Sequence, residues 1–245
     1  MKLELDLDLA PLIEQGDILE LGRRASMARM HDEVGFLEDE ALFLALPDAP
    51  LPAVAPRVIH LMPGSETRLP SLRQAFPEAW VHGPAGLDGL DSVALLGQRP
   101  ECSGMPEVAT LTYDQTTPVE SLLADLQSLA RRKWLVSCVL LPEGVGDQVL
   151  SPATTWGSRD VALLSAARLL LRCHVRASWG ALGWKLAQAS IAFGTDELAG
   201  WGLEEQLTYA GRFRPAAQVS HEEAEAGILE AGRIPRAVTR CDWAC

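Results

Sequence analysis

Short apolar runs that alternate with amphipathic helical patterns constrain the fold of this chain more than any other feature. From Val58 onward, β-like runs occur at residues 58–62, 79–82, 92–96, 108–113, 135–141 and 175–179. Leucines at three- and four-residue spacing predict helices between them, most clearly over residues 119–133 and 158–173. This alternation favours a parallel sheet buried on both faces. We predict an α/β fold, a partial or truncated (β/α) barrel, with a doubly wound open sheet as the alternative.

The residues before Val58 have a different pattern. A broken helix is predicted over residues 9–30, followed by the apolar runs Val34–Leu37 and Ala41–Leu46. Because only Glu38-Asp39-Glu40 separates these runs, a hairpin is the simplest interpretation. Residues 47–57 contain four prolines and are predicted to be a linker. The sequence thus divides into an N-terminal segment, 1–57, and a barrel-like domain, 58–245.

The end of the chain is predicted to be helical. Residues 185–193 form a helical pattern that ends at Gly194. Ser220 and Glu223 have the spacing of a capping box, which predicts a helix that begins there and ends at Gly232.

Charge and cysteine content exclude several classes of function. The chain has 33 acidic and 21 basic residues and a net charge of -12, which disfavours nucleic acid as a partner. Its longest apolar runs fall short of the roughly 20 residues that span a bilayer, so we expect no membrane association. The acidic N-terminus is unlike a secretory signal, and the five cysteines have no dense spacing. We therefore expect a cytoplasmic protein.

Common catalytic signatures are absent from the sequence, which has no GxxxxGK[ST], GxGxxG, HExxH or GxSxG motif. His60, His82, Asp114 and Glu143 each lie near the end of a predicted strand, where barrel enzymes place their acid and base groups. Histidines packed in the core or rim are the structural alternative. Cys241 and Cys245 are spaced C-x3-C, but two thiolates are too few for a zinc site or an iron–sulfur cluster.

Several blocks of the C-terminal third occur in a specific order. They are 167–171, 178–188, 193–200, Glu204-Glu205 and 230–235. This order resembles the end of the radical SAM enzymes of menaquinone biosynthesis, the family of aminofutalosine synthase, dehypoxanthine futalosine cyclase and FO synthase-like proteins. Residues 16–22 and 57–64 are similar to upstream parts of that family.

The resemblance implies a TIM barrel of radical SAM type and suggests particular binding residues. It places Gly64 in the turn that contacts the methionine end of SAM. It also implies that Asp196, Glu197, Glu204 and Glu205 are retained ligand contacts. Acidic residues that stabilise a helix N-terminus are an equally good explanation of these four.

One departure from the family decides the functional interpretation. The family holds a [4Fe-4S] cluster with a CxxxCxxC loop after the first barrel strand, whereas no cysteine precedes Cys102 here. Because three thiolates are needed to hold the cluster, we expect no [4Fe-4S] cluster and no radical SAM activity by this chain alone. Whether SAM itself binds stays open.

Three functional hypotheses follow from the sequence. The first is a cluster-less relative of aminofutalosine synthase that binds a small molecule, or serves as a non-catalytic partner of an active radical SAM enzyme or another futalosine-pathway enzyme. The second is an enzyme with non-radical chemistry at the C-terminal ends of the barrel strands. The third, which the residues favour least, is a metal site assembled in space from distant cysteines.

Overall fold

The computed structural model describes residues 9–14, 17–29, 31–37, 42–48, 50–62, 64–96, 104–114, 116–142, 157–199 and 219–238. The described helices are α1 (Leu9–Glu14), α2 (Ile18–Met27), α3 (Leu69–Ala75), α4 (Val119–Ala130), α5 (Gly157–Leu170), α6 (Trp179–Leu182), α7 (Trp184–Ser190) and α8 (His221–Glu230). Single 3₁₀ turns occur at Glu66–Arg68 and Ile191–Phe193. The strands are β1 (Glu33–Leu37), β2 (Leu42–Ala45), β3 (Val58–Leu61), β4 (Trp80–Pro84), β5 (Ser92–Leu96), β6 (Glu107–Tyr113), β7 (Leu135–Pro142), β8 (His174–Ser178), β9 (Glu197–Ala199) and β10 (Ile234–Val238).

All ten strands belong to one parallel sheet with the order β10-β1-β9-β8-β7-β6-β5-β4-β3-β2. The sheet is curled into a partial barrel, so the predicted α/β fold is confirmed. All six predicted strands after Val58 are present, with small differences at their ends. They form because continuous runs of apolar and β-branched residues suit strands that are buried on both faces.

The predicted hairpin is wrong. β1 pairs in parallel with β9 and β10, whereas β2 pairs in parallel with β3 at the opposite end of the strand order. Tight hairpins favour glycine or asparagine at positions of positive φ, and Glu38-Asp39-Glu40 offers neither. The four residues between Leu37 and Leu42 can span at most about 18 Å. The second and last strands of the order therefore lie close together, as a curled sheet requires.

The C-terminal third is only partly helical. The helix before Gly194 and the one that begins at Ser220 are both present, and Ser220 and Glu223 form the predicted capping box. The prediction missed β9 and β10, which are short strands of the same sheet. Their sequences, Glu-Leu-Ala and Ile-Pro-Arg-Ala-Val, are too short or too polar to form an apolar run.

Alternation of side chains along each strand gives the sheet two distinct faces. The outer face joins the helices in the main hydrophobic core and contributes Ile59, Val81, Leu111, Leu140 and Ala177. Helix α5 lies deep in this layer and is buried along most of its length.

The opposite face is less apolar, and we call it the inner face. By register it carries Gly35, His60, His82, Ser92, Thr110, Thr112, Ser137, Val139, Leu141, Arg176, Ser178 and Glu197. Ala181 of α6 packs against Val139 and Leu141 in a small separate cluster on this face. The inner face thus combines a few apolar contacts with many polar groups.

Candidate functional site

Two of the sequence-predicted residues lie side by side on the inner face. His60 and His82 occupy paired positions on β3 and β4, and their ring centroids are 4.9 Å apart at an interplanar angle of 56°. Both side chains are buried, which agrees with the structural alternative for these histidines. β3 and β4 are adjacent parallel strands, and their register places the two histidines side by side.

Ser92 orients His82 within this pair. The Ser92 Oγ accepts a hydrogen bond from the Trp80 indole N–H at 2.9 Å and lies 2.8 Å from the His82 Nδ1. Because the indole can only donate, the serine proton is available to the imidazole. This arrangement favours the His82 tautomer that carries its proton on Nε2. The sequence analysis missed Ser92 and Trp80, since the spacing of neither residue indicates a contact with His82.

A buried ion pair lies in the middle of the inner face. The guanidinium of Arg176 on β8 donates to the Glu197 Oε2 on β9 from Nε at 3.1 Å and from Nη2 at 2.8 Å. The two side chains are 3% and 2% exposed. Glu197 was expected as a ligand contact, whereas Arg176 was missed. An arginine between the apolar residues Val175 and Ala177 was the available signal, because a buried cation needs a partner.

Two serine hydroxyl groups on the same face as this pair are buried. Ser137 and Ser178 are fully buried on the inner face, and within the described residues neither hydroxyl has a hydrogen-bond partner. Buried polar groups of this kind ordinarily bind water or a ligand. Together with Arg176 and Glu197, they make the inner face the strongest candidate for a binding site.

Asp196 has a different role from its neighbour Glu197. Its Oδ2 accepts hydrogen bonds from Arg168 Nη1 at 2.6 Å and from the backbone N–H of Val175 at 2.9 Å. Arg168 also donates to the carbonyl oxygens of Leu171 and Cys173. Asp196 therefore ties α5 to the start of β8, at the N-terminal ends of the strands.

Asp114 stabilises the loop that follows β6. Its Oδ1 accepts hydrogen bonds from the backbone N–H and the hydroxyl of both Thr116 and Thr117, at 2.8–2.9 Å. These bonds, the side-chain ones first, lower the pKa of Asp114. A carboxylate held in this way is poorly suited to act as a general base near neutral pH.

Gly64 lies just beyond β3 with a φ of +87°. Its backbone N–H donates to the Glu66 Oε1 at 3.0 Å, and this bond is the main cause of the lowered pKa of Glu66. The turn is thus closed by the chain's own carboxylate. The other predicted site residues, Glu143, Glu204, Glu205, Cys241 and Cys245, lie outside the described residues.

The described thiols do not fit an iron–sulfur cluster. Cys138 and Cys173 are both buried in the hydrophobic core, and burial raises the pKa of Cys173 well above its ordinary value. A cluster needs thiolates that reach a common iron site, and the sequence lacks the CxxxCxxC loop that supplies them in the family that it resembles. In the part of the chain that the structure describes, no three His, Cys, Asp or Glu side chains form a group that could hold a metal ion.

The buried carboxyl group of Asp160 makes the stability of the folded protein depend on pH. Its Oδ1 accepts a 2.6 Å hydrogen bond from the hydroxyl of Tyr113, and burial raises the pKa of Asp160 against the opposing effects of Tyr113 and Arg159. The folded state therefore binds this proton more tightly than the unfolded state. Consequently, the stability that protonated Asp160 contributes at low pH is lost as the pH rises from about 4 through the raised pKa of Asp160.

We expect Asp160→Asn to reduce this loss of stability with rising pH. The asparagine oxygen can still accept the bond from Tyr113, but it carries no charge that burial would penalise. Urea unfolding of both proteins between pH 4 and 7 measures the effect. A variant with the same pH slope as the unmodified protein would contradict the prediction.

Comparisons with known proteins reveal relatives over part of the chain. No family model matches it. The chain is 30% identical over 152 residues to 5-amino-6-(D-ribitylamino)uracil--L-tyrosine 4-hydroxyphenyl transferase 1 of Methanosarcina barkeri, covering 56% of this chain and 40% of that protein. It is 29% identical over 144 residues to aminodeoxyfutalosine synthase of Thermus thermophilus, covering 54% of this chain and 38% of that protein. The matches thus span about two fifths of the length of these relatives.

Solved structures share the fold over nearly the whole chain. Methylornithine synthase (PylB) superposes with a TM-score of 0.58 at 11% identity, covering 94% of this chain and 93% of that one. HydG, a maturase of the [FeFe]-hydrogenase, superposes with a TM-score of 0.59 at 9% identity, covering 91% and 70%. In the described residues, none of the helices combines the length and apolarity that crossing a bilayer requires. The sequence similarities, together with this parallel barrel-like fold, support the assignment of the chain to the radical SAM superfamily.

Proposed function

We propose that this chain is a cluster-less radical SAM relative that binds a small polar molecule on its inner face and acts as a non-catalytic protein linked to menaquinone biosynthesis by the futalosine pathway. The observation that carries the proposal is the absence of any cysteine before Cys102, in a chain otherwise similar to enzymes of this type. Without a CxxxCxxC loop, the chain lacks the three closely spaced thiolates that would hold the cluster that initiates radical chemistry.

The polar groups of the inner face support ligand binding. A buried ion pair, two buried histidines and two buried hydroxyls without a described partner are costly to maintain in a merely structural core. The names of the relatives suggest three ligands to try, which are L-tyrosine, 5-amino-6-(D-ribitylamino)uracil and aminodeoxyfutalosine. The resemblance to radical SAM enzymes adds SAM as a fourth.

The cluster-less part of the proposal predicts that protein purified and reconstituted anaerobically contains no iron above background. With a strong reductant and SAM, it is expected to form no 5′-deoxyadenosine. Aminodeoxyfutalosine synthase of Thermus thermophilus, treated in parallel, is the positive control. Stoichiometric iron and 5′-deoxyadenosine formation by this chain alone would overturn the proposal.

The binding part is tested by thermal unfolding with each of the four compounds, because a ligand that prefers the folded state raises its stability. Ser178→Ala is expected to reduce the shift, since Ser178 lies on the inner face. Ser165→Ala is the matched control, because the Ser165 hydroxyl donates within the helical layer to Val161 and Phe193. Equal shifts in both variants would place the ligand elsewhere.

The His60–His82 pair favours a second candidate, an enzyme with acid–base rather than radical chemistry. Turnover of any of the four compounds without reductant, abolished by His82→Gln, would support this alternative. Co-purification with an active futalosine-pathway enzyme, without turnover, would support the non-catalytic role.

A further inference from the structure

An excess of buried positive charge lies at the N-terminal ends of β1, β8 and β10, away from the strand ends where barrel sites form. We call this group the arginine cluster. It consists of three arginines and two aspartates, Arg29, Arg168, Arg233, Asp32 and Asp196. The cluster therefore carries one more positive than negative charge.

Arg29 carries the unbalanced charge. Its side chain is 3% exposed, and none of its three guanidinium nitrogens has a hydrogen-bond acceptor in the described residues. The nearest carboxylate oxygen, Asp196 Oδ1, is 3.8 Å from its Nε. The other oxygen of Asp196 already accepts two hydrogen bonds, from Arg168 and from the backbone of Val175. An unsatisfied buried guanidinium is expensive, so its donors need a partner.

Arg233 and Ser26 provide further donors beside Arg29. Arg233 Nη1 donates to Asp32 Oδ1 at 2.9 Å, but Asp32 is 81% exposed, so this bond is weak. Arg233 Nη2 donates to the Ser26 Oγ at 3.0 Å, which leaves the Ser26 proton free to donate. Among the described residues, the guanidinium groups of Arg29 and Arg233 and the hydroxyl of Ser26 thus have more hydrogen-bond donors than nearby acceptors.

We propose that the arginine cluster binds one small oxyanion, a phosphate or carboxylate group, between Arg29 and Arg233. Guanidinium forks match the geometry of such anions and form strong charge-assisted hydrogen bonds with them. The Ser26 hydroxyl supplies a third donor. The bound anion displaces Asp32 from Arg233 and neutralises the excess charge of the cluster.

Arg29 remains a cation under these conditions. Burial lowers the pKa of Arg29 to about 10, and the neighbouring Arg233 and Arg168 act in the same direction, while Asp196 and Asp32 oppose it. The group is therefore charged at neutral pH, where it attracts an anion.

Thermal unfolding at pH 7 and constant ionic strength tests this site with inorganic phosphate, acetate and chloride as probes. We expect phosphate or acetate to raise the melting temperature of the unmodified protein by about 5 °C or more near saturation, relative to chloride. Arg29→Met is expected to abolish this difference. Arg23→Met in the preceding helix α2 is the matched control and is expected to retain the difference, because Arg23 is exposed and pairs with Glu20 rather than with the cluster.

The outcomes separate this site from the inner face. A response limited to phosphate assigns a phosphate site, whereas a response to acetate assigns a carboxylate site. Equal melting temperatures in all three salts, or the same anion response in Arg29→Met, would overturn the proposal. If Arg29→Met does not fold, Arg233→Gln tests the same site and is expected to lose most of the anion response. None of these results depends on a ligand of the inner face.

Discussion

Replacing Arg176 by methionine is expected to lower the free energy of unfolding by about 3–5 kcal/mol, because Glu197 is then left as a buried carboxylate without its cation. Glu197→Gln is also expected to be destabilising, because it removes the negative charge that the buried guanidinium of Arg176 contacts at 2.8 Å. Arg176→Met removes both hydrogen bonds to the Glu197 Oε2, whereas Glu197→Gln keeps an oxygen that can accept them and removes only the charge. Urea unfolding at pH 7 measures the losses.

The double variant Arg176→Met/Glu197→Leu distinguishes the cost of an orphaned charge from the value of the pair. With both charges removed, neither member of the pair is left as a buried charge without the other, and we expect much of the lost stability to return. Arg23→Met is the control for removing an arginine from an exposed ion pair, and we expect no comparable loss. Losses that simply add in the double variant would contradict the buried-pair explanation.

Gly194→Ala is expected to lower the free energy of unfolding by about 3 kcal/mol, from two separate causes. Gly194 has a φ of +96°, a left-handed conformation that costs a residue with a side chain about 1–2 kcal/mol. An added Cβ would also lie 2.8 Å from the Arg168 Cγ and 2.9 Å from the Ala25 Cβ, which forces α2 and α5 apart at a further cost of about 1–3 kcal/mol.

Gly232→Ala separates these two causes. Gly232 also has a positive φ, of +71°, but an added Cβ meets nothing within 4 Å. We therefore expect only the conformational cost of about 1–2 kcal/mol at this position. Urea or thermal unfolding of the two variants provides the comparison. Equal losses at Gly194 and Gly232 would show that close packing around Gly194 contributes nothing.

Local patterns were sufficient to predict the central part of the sheet. β3 to β8 are short runs rich in apolar and β-branched residues, and α4 and α5 repeat leucine at helical spacing, so each element is recognisable without its partners. The same reasoning placed His60 and His82 on consecutive strands of a parallel sheet, but their contact depends on the register of β3 and β4, which the sequence does not give. The spacing of apolar residues predicts a strand or a helix wherever burial of one face decides the local conformation.

Local sequence patterns could not predict which distant strands pair with each other in the sheet. β1 and β2 were recognised as apolar runs but were assigned to each other, since nearness in sequence is the only local criterion for pairing. β9 has three residues and was missed. The Arg176–Glu197 pair was missed with it, because that contact exists only through the register of β8 and β9.

The position of β1 between β9 and β10 also bears on synthesis of the protein. Asp32 and Arg233, which flank the β1–β10 pair, are 201 residues apart in sequence. While the ribosome is still translating the later strands, Val34 and Phe36 have no sheet to join and expose surface that is buried in the finished molecule. Such long-range pairing slows folding and leaves a nascent chain open to aggregation. We therefore expect chaperones, or slow growth at low temperature, to raise the yield of folded protein.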